Sequence, residues 1–183
     1  TNVRIPMDFY GSRTSGDTST YSALANTSGD FNGSMDDFVV SSTYLDRIEQ
    51  VVTWSLNRGL ITVLDLHGGD LKTEFLHTFN STNSHYIEPT SARRAADMMK
   101  FNSIWRAIAT RFRDYAPELI FEIVNEPYFE LSSTEMDVLN SGVIPVIRAT
   151  GGNNTYRNLI IVGGGENSYL APQQINPVIL AGD

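Results

Sequence analysis

Two kinds of apolar segment alternate along this chain, and their order restricts the folds open to it. Val3-Arg4-Ile5-Pro6-Met7, Leu60-Ile61-Thr62-Val63-Leu64-Asp65-Leu66, Leu119-Ile120-Phe121-Glu122-Ile123-Val124 and Asn158-Leu159-Ile160-Ile161-Val162 are short runs rich in β-branched residues. Such runs, bounded by turn formers, read as strands. Between the first two, Leu45, Ile48, Val52 and Leu56 recur at helical spacing, with Ser41 or Ser42 as N-cap and Gly59 as the stop. Phe101, Ile104, Trp105, Ile108 and Phe112 form a second helical stripe, with Arg and Lys expected opposite, closed by Tyr115-Ala116-Pro117. Met136, Leu139, Val143 and Ile147 mark a third, weakened by Gly142. Strand, loop, helix, strand, repeated, builds a parallel sheet with helices outside and strands buried on both faces.

Four strands and three helices are about half of a (β/α)8 barrel, which usually needs roughly 250 residues. The expectation for these 183 residues is therefore one α/β domain, an incomplete TIM barrel, over 1–183. The polar stretch 9–33 reads as a long exposed loop, and 163–183 lacks clear periodicity.

Thirteen Lys and Arg against 21 Asp and Glu give a net charge of -8, so no nucleic-acid partner is expected. A neutral polar ligand suits this charge better. With no Cys, disulfides and thiolate metal sites are excluded. No run reaches the apolar length of a membrane span, and the first residues resemble mid-domain sequence rather than a signal peptide. Asn-x-Ser/Thr triplets at Asn26, Asn32, Asn80 and Asn153 fit a secreted full-length protein.

Functional groups of parallel sheets collect at the carboxyl ends of strands, where this sequence places Arg4, Asp65-Leu66-His67-Gly68 and Asn125-Glu126-Pro127. Arg4, charged within a strand, needs a carboxylate partner, and Glu122 is one candidate. His67 shares its alternation face with Asp65. Strict alternation would send Asn125 and Glu126 to opposite faces, so a bulge or strand end is implied there. His67, His77 and His85 lack the i, i+4 spacing of a helical metal pair, and no metal or cofactor is expected. Gly163-Gly164-Gly165 has the wrong spacing for a dinucleotide fingerprint and reads as a close turn. Trp54 and Trp105 fall in helices and are expected in the core. Tyr10 and Tyr128 sit in loops at the functional end and are candidates for stacking on substrate.

Taken in order, Asn2-Val3-Arg4-Ile5-Pro6, Tyr44-Leu45-Asp46-Arg47 with Asn57-Arg58-Gly59, Leu64-Asp65-Leu66-His67, Leu119 to Pro127, and Leu159-Ile160-Ile161-Val162-Gly163-Gly164 resemble glycoside hydrolase family 5, the cellulase and mannanase family. These motifs correspond to barrel strands two to five. The resemblance implies a retaining endo-β-glycanase, first of all an endo-β-1,4-glucanase, acting on a polysaccharide or oligosaccharide. It makes Glu126 the acid/base, has Asn125 bond the sugar 2-hydroxyl, puts Arg4 beneath the nucleophile and sets His67 beside the cleavage subsite. Two carboxyls about 5 to 5.5 Å apart, one protonated and one ionised, are what a retaining mechanism requires.

The family's nucleophilic Glu on strand seven has no counterpart in this sequence, and the resemblance gives Glu166 no such role. The isolated chain is therefore expected to be inactive and prone to self-association through uncovered barrel edges. The competing reading is a non-catalytic carbohydrate-binding or scaffold half-barrel.

Overall fold

The computed structural model describes residues 1–25, 30–68, 77–127, 131–164, 170–180 and 183. Its centre is a parallel sheet of four strands in sequence order, β1 (Asn2–Met7), β2 (Ile61–Leu66), β3 (Leu119–Glu122) and β4 (Leu159–Ile160). Helices α1 (Ser42–Leu56), α2 (Ala92–Phe112) and α3 (Ser133–Ala149) lie in the three crossovers, and a short α4 (Ala171–Gln174) follows β4. This is the run of βα units expected from the sequence.

Local chemistry sets the helix ends. Ser41 caps α1 by accepting from the Tyr44 N–H, and after Asn57 the chain turns at Gly59 with φ +69°, its N–H on the Leu56 carbonyl. Ser91 caps α2 and Ser132 caps α3 in the same way. Helix α3 runs through both Gly142 and Pro145, held by the buried side chains Met136, Leu139, Val143 and Ile147. Packing outweighs propensity in that helix.

One face of the sheet meets the helices. Met7, Leu64, Leu66, Leu119 and Phe121 pack with Ile48 and Val52 of α1, Ile104, Trp105 and Phe112 of α2, and Leu139 and Val143 of α3. The opposite face carries Arg4, Val63, Asp65, Ile120 and Glu122 and is open enough to leave Ile61 44% exposed. The expectation that the strands are buried on both faces is thus corrected. Only the helix side is closed, because the inward side of a barrel is covered by strands opposite it.

Three further expectations are revised. The stretch 9–33 is no simple exposed loop: Phe9, Thr14 and Thr18 are buried, and Thr14 bridges Val40. Gly16 and Phe38 lie on α2, where Lys100 Nζ donates to the Gly16 carbonyl at 2.9 Å and Ser103 Oγ donates to the Phe38 carbonyl at 2.7 Å. The first turns of α2 are likewise covered on their polar side: Arg94, Asp97 and Lys100 are all buried, Arg94 donating to the Thr78 and Ile87 carbonyls. Trp105 is in the core as expected, whereas Trp54 is 54% exposed on α1, beside Val51 and Leu60.

Of the glycine run read as a close turn, Gly165 lies outside the described residues, and at Gly164 the chain passes close to the Leu131 and Ser132 backbone. A Cβ there would stand 2.4 Å from the Leu131 carbonyl oxygen. Among the described residues, no helix is long and apolar enough to cross a membrane.

Candidate active site

Register brings the inward-facing polar residues together. Asp65 is the sheet partner of Pro6 on one side and of Glu122 on the other, so the two carboxylates stand side by side. Arg4 reaches across from β1. Its Nε donates to Glu122 Oε2 at 2.7 Å and its Nη2 to Glu122 Oε1 at 2.6 Å, a two-pronged pairing that only a guanidinium can make. The same Nη2 lies 3.1 Å from Asp65 Oδ2 and donates to Asn125 Oδ1 at 2.7 Å. The Glu122 hydrogen bond, reinforced by the charges of Asp65, Glu122 and Glu126, holds the Arg4 guanidinium above its ordinary range against the opposing cost of burial.

Asp65 is fully buried, and burial raises its carboxyl above the ordinary aspartate value, opposed chiefly by the hydrogen bond to His67. That bond joins Asp65 Oδ2 to His67 Nδ1 at 2.8 Å. The imidazole is half exposed at the end of β2, and its backbone N–H is held by the Met7 and Asp65 carbonyls. His67 and Asp65 therefore share a face, as alternation required.

After β3 the backbone turns over. The Ile123 N–H donates to the Ile160 carbonyl on the β4 side, while the Asn125 N–H, two residues on, donates to the Leu66 carbonyl on the β2 side. In a regular strand both would point to the same neighbour, so the chain has rotated between them. The Ile123 carbonyl leaves the ladder and accepts from Trp105 Nε1 in α2 at 3.0 Å. Glu126 follows with φ +28°, the one positive value at a non-glycine residue among those described. A left-handed carboxylate residue is strained, and such strain collects at functional sites. The rotation places the Asn125 side chain on the inward face with Arg4, and the Glu126 charge near enough to act on that guanidinium.

Arg4, His67, Asn125 and Glu126, singled out from the sequence, thus come together at one end of the sheet. Tyr10 stands in the loop after β1 with its ring half exposed, and its backbone N–H is held by Asp8. Tyr128 and Glu166 lie outside the described residues. Sequence reasoning did not single out Asp65 as the group joining Arg4 to His67. The signal was there, since Asp65 is an inward-facing acid beside an inward-facing Arg and two residues before a His. Among the described residues, no group of three or more His, Cys, Asp or Glu is arranged to hold a metal ion.

Known proteins resemble this chain in sequence and fold. Endoglucanase H of Acetivibrio thermocellus is 34% identical over 132 residues, which are 72% of this chain and 12% of that protein. Endoglucanase A of Paenibacillus barcinonensis is 30% identical over 142 residues, 74% of this chain and 34% of the relative. The chain thus spans about a third or less of the length of either. Among solved structures, a tri-modular family 5 (subfamily 4) endo-β-1,4-glucanase from Bacillus licheniformis superposes with a TM-score of 0.69 at 26% identity, covering 96% of this chain and 28% of that one. The same enzyme complexed with cellotetraose gives a TM-score of 0.67. Residues 1–179 match the family described as Cellulase (glycosyl hydrolase family 5). The chain belongs to glycosyl hydrolase family 5, the cellulase family, and its four parallel strands and helices match part of that family's barrel structures.

Proposed function

We propose that these residues form the acid/base side of a retaining endo-β-1,4-glucanase site, with Glu126 as the proton donor. The observation that supports the reading is the rotation after Ile123, which brings the Asn125 side chain onto Arg4 and leaves the Glu126 charge near enough to act on the same guanidinium. The endoglucanase relatives and the cellotetraose complex of a structural neighbour favour a β-1,4-glucan substrate.

In the proposed reaction Glu126 protonates the glycosidic oxygen as the bond to the anomeric carbon breaks, and a second carboxylate attacks that carbon from the opposite face. Glu126, now ionised, then takes a proton from water, whose oxygen displaces the sugar from the enzyme. Asn125, with Oδ1 committed to Arg4, offers its Nδ2 hydrogens to the sugar 2-hydroxyl. By the family's pattern the attacking carboxylate lies on barrel strand seven, beyond this sequence, so we assign no hydrolysis to the 183-residue chain alone.

The test uses the longer gene product with Glu126→Gln. Its kcat/KM on cellotetraose should fall about 10²- to 10⁴-fold, the usual reach of general acid catalysis, while kcat/KM on dinitrophenyl β-cellobioside, whose leaving group needs no proton, should change far less. An equal fall on both substrates would refute the acid role.

A further inference from the structure

We infer that Asp65 is a positioning residue that fixes neutral His67 as its Nδ1–H tautomer, leaving Nε2 as a hydrogen-bond acceptor on the inward face of the sheet. Asp65 Oδ2 lies 3.1 Å from Arg4 Nη2 and 2.8 Å from His67 Nδ1. The positive Arg4 guanidinium beside Oδ2 cannot accept a hydrogen bond, and its charge disfavours a proton on that oxygen. It must accept from His67 as well, which places the imidazole proton on Nδ1. An isolated neutral histidine prefers the opposite tautomer, so the Asp65 contact reverses an intrinsic preference. Nothing else holds the carboxylate so firmly: it is fully buried, and Arg4 is locked in turn by two bonds to Glu122.

The arrangement supplies what its neighbours lack. Arg4 donates only, and Asn125 has its oxygen taken by Arg4 and keeps its amide hydrogens. Glu122 is an acceptor, but Arg4 binds both its oxygens, and Asp65 is fully buried. A sugar hydroxyl both donates and accepts, and the half-exposed His67 ring gives it a neutral acceptor amid these donors. That use rests on the proposed sugar site, whereas the tautomer is a property of the free chain.

Long-range 1H–15N correlation spectra of the labelled 183-residue chain, at a pH of about 9 where ordinary imidazoles are neutral, read the tautomer of each ring. His77 Nε2 also faces a donor, the Arg93 guanidinium at 3.1 Å, so the His67 signals are identified by their loss in His67→Gln. The expected spectrum has His67 Nδ1 protonated and Nε2 bare, and Asp65→Ala moves the ring to Nε2–H. A wild-type ring that is already Nε2–H overturns the inference, and this holds even where Asp65→Ala fails to fold. Retention of Nδ1–H in a folded Asp65→Ala overturns it as well. Cellotetraose takes no part in these readings, so a failed sugar-site assignment shows separately, as cellotetraose leaving the His67 resonances unmoved.

Discussion

Replacing Asp97 by Asn tests whether burial of a carboxylate beneath the first loop governs the acid stability of this chain. Asp97 is fully buried in α2, with Arg93 Nε at 3.1 Å from Oδ1 and His77 Nε2 at 3.9 Å from Oδ2. Burial outweighs the attraction of Arg93 and raises the carboxyl from the ordinary 3.8 up to about 7. A raised value means that the folded chain holds this proton more tightly than the unfolded one. Its contribution to stability is full below pH of about 4 and is lost as pH rises through about 7. Roughly three pH units at 1.36 kcal/mol each set an upper bound of about 4 kcal/mol on that loss. Asn is isosteric and cannot titrate. Urea unfolding of wild type and Asp97→Asn between pH 4 and 8 should give profiles that diverge by up to that amount, with wild type losing stability relative to the variant as pH rises. Other carboxylates cancel in the difference. Parallel profiles, or divergence of the opposite sign, would refute the reasoning.

Two other substitutions probe side chains that tie α2 and the segments after it to backbone carbonyls. Trp105→Phe removes the donor from the Ile123 carbonyl where the backbone turns toward Asn125, and should cost about 1 to 3 kcal/mol in denaturant unfolding; a cost under about 0.5 kcal/mol would mean that the turn does not depend on the indole. Arg157, fully buried, donates to the carbonyls of Phe112, Tyr115, Ala116 and Leu119 and to Asn154 Oδ1, and burial lowers its guanidinium to about 10. Arg157→Lys keeps the charge but loses the fork, so it should destabilise by about 3 kcal/mol or more, measured the same way. A near-neutral effect would show that water replaces those bonds.

The legible parts of this fold are those set by local periodicity. The stripes Leu45, Ile48, Val52 and Phe101, Ile104, Trp105, Ile108 are buried as their spacing demands, and Gly59 stops α1 as its φ of +69° requires. What escaped depends on partners distant in sequence. Thr14, Thr18 and Lys100 look like surface residues, and contacts distant in sequence, such as Gly16 on Lys100 and Val40 on Thr14, bury them. Trp54 follows a helical pattern as well as Trp105 does, yet no described element covers it. In the candidate site the sequence carried a contradiction that proved informative. Asn125 and Glu126 are adjacent and both inward-facing only if the strand breaks, and the structure has the break between Ile123 and Asn125.

Electrostatics at that break also bear on the proposed chemistry. Asp65, Glu122 and Glu126 act on a single guanidinium, so three carboxyl groups share one fixed cation. An anionic substrate would be repelled by such a face, and a neutral sugar would not. In glycoside cleavage positive charge grows on the sugar ring as the bond to the leaving oxygen breaks. Fixed negative groups held in place before the reaction stabilise that charge without reorganising, which is the form of electrostatic assistance a rigid sheet provides. Arg4 then has a second consequence. By binding Glu122 through both carboxylate oxygens and standing 3.1 Å from Asp65, it sets one cation between two acids in adjacent register. The strand register, the Arg4 fork and the turn at Glu126 are thus parts of one arrangement, in which the sheet supplies the negative field and the break supplies the acid.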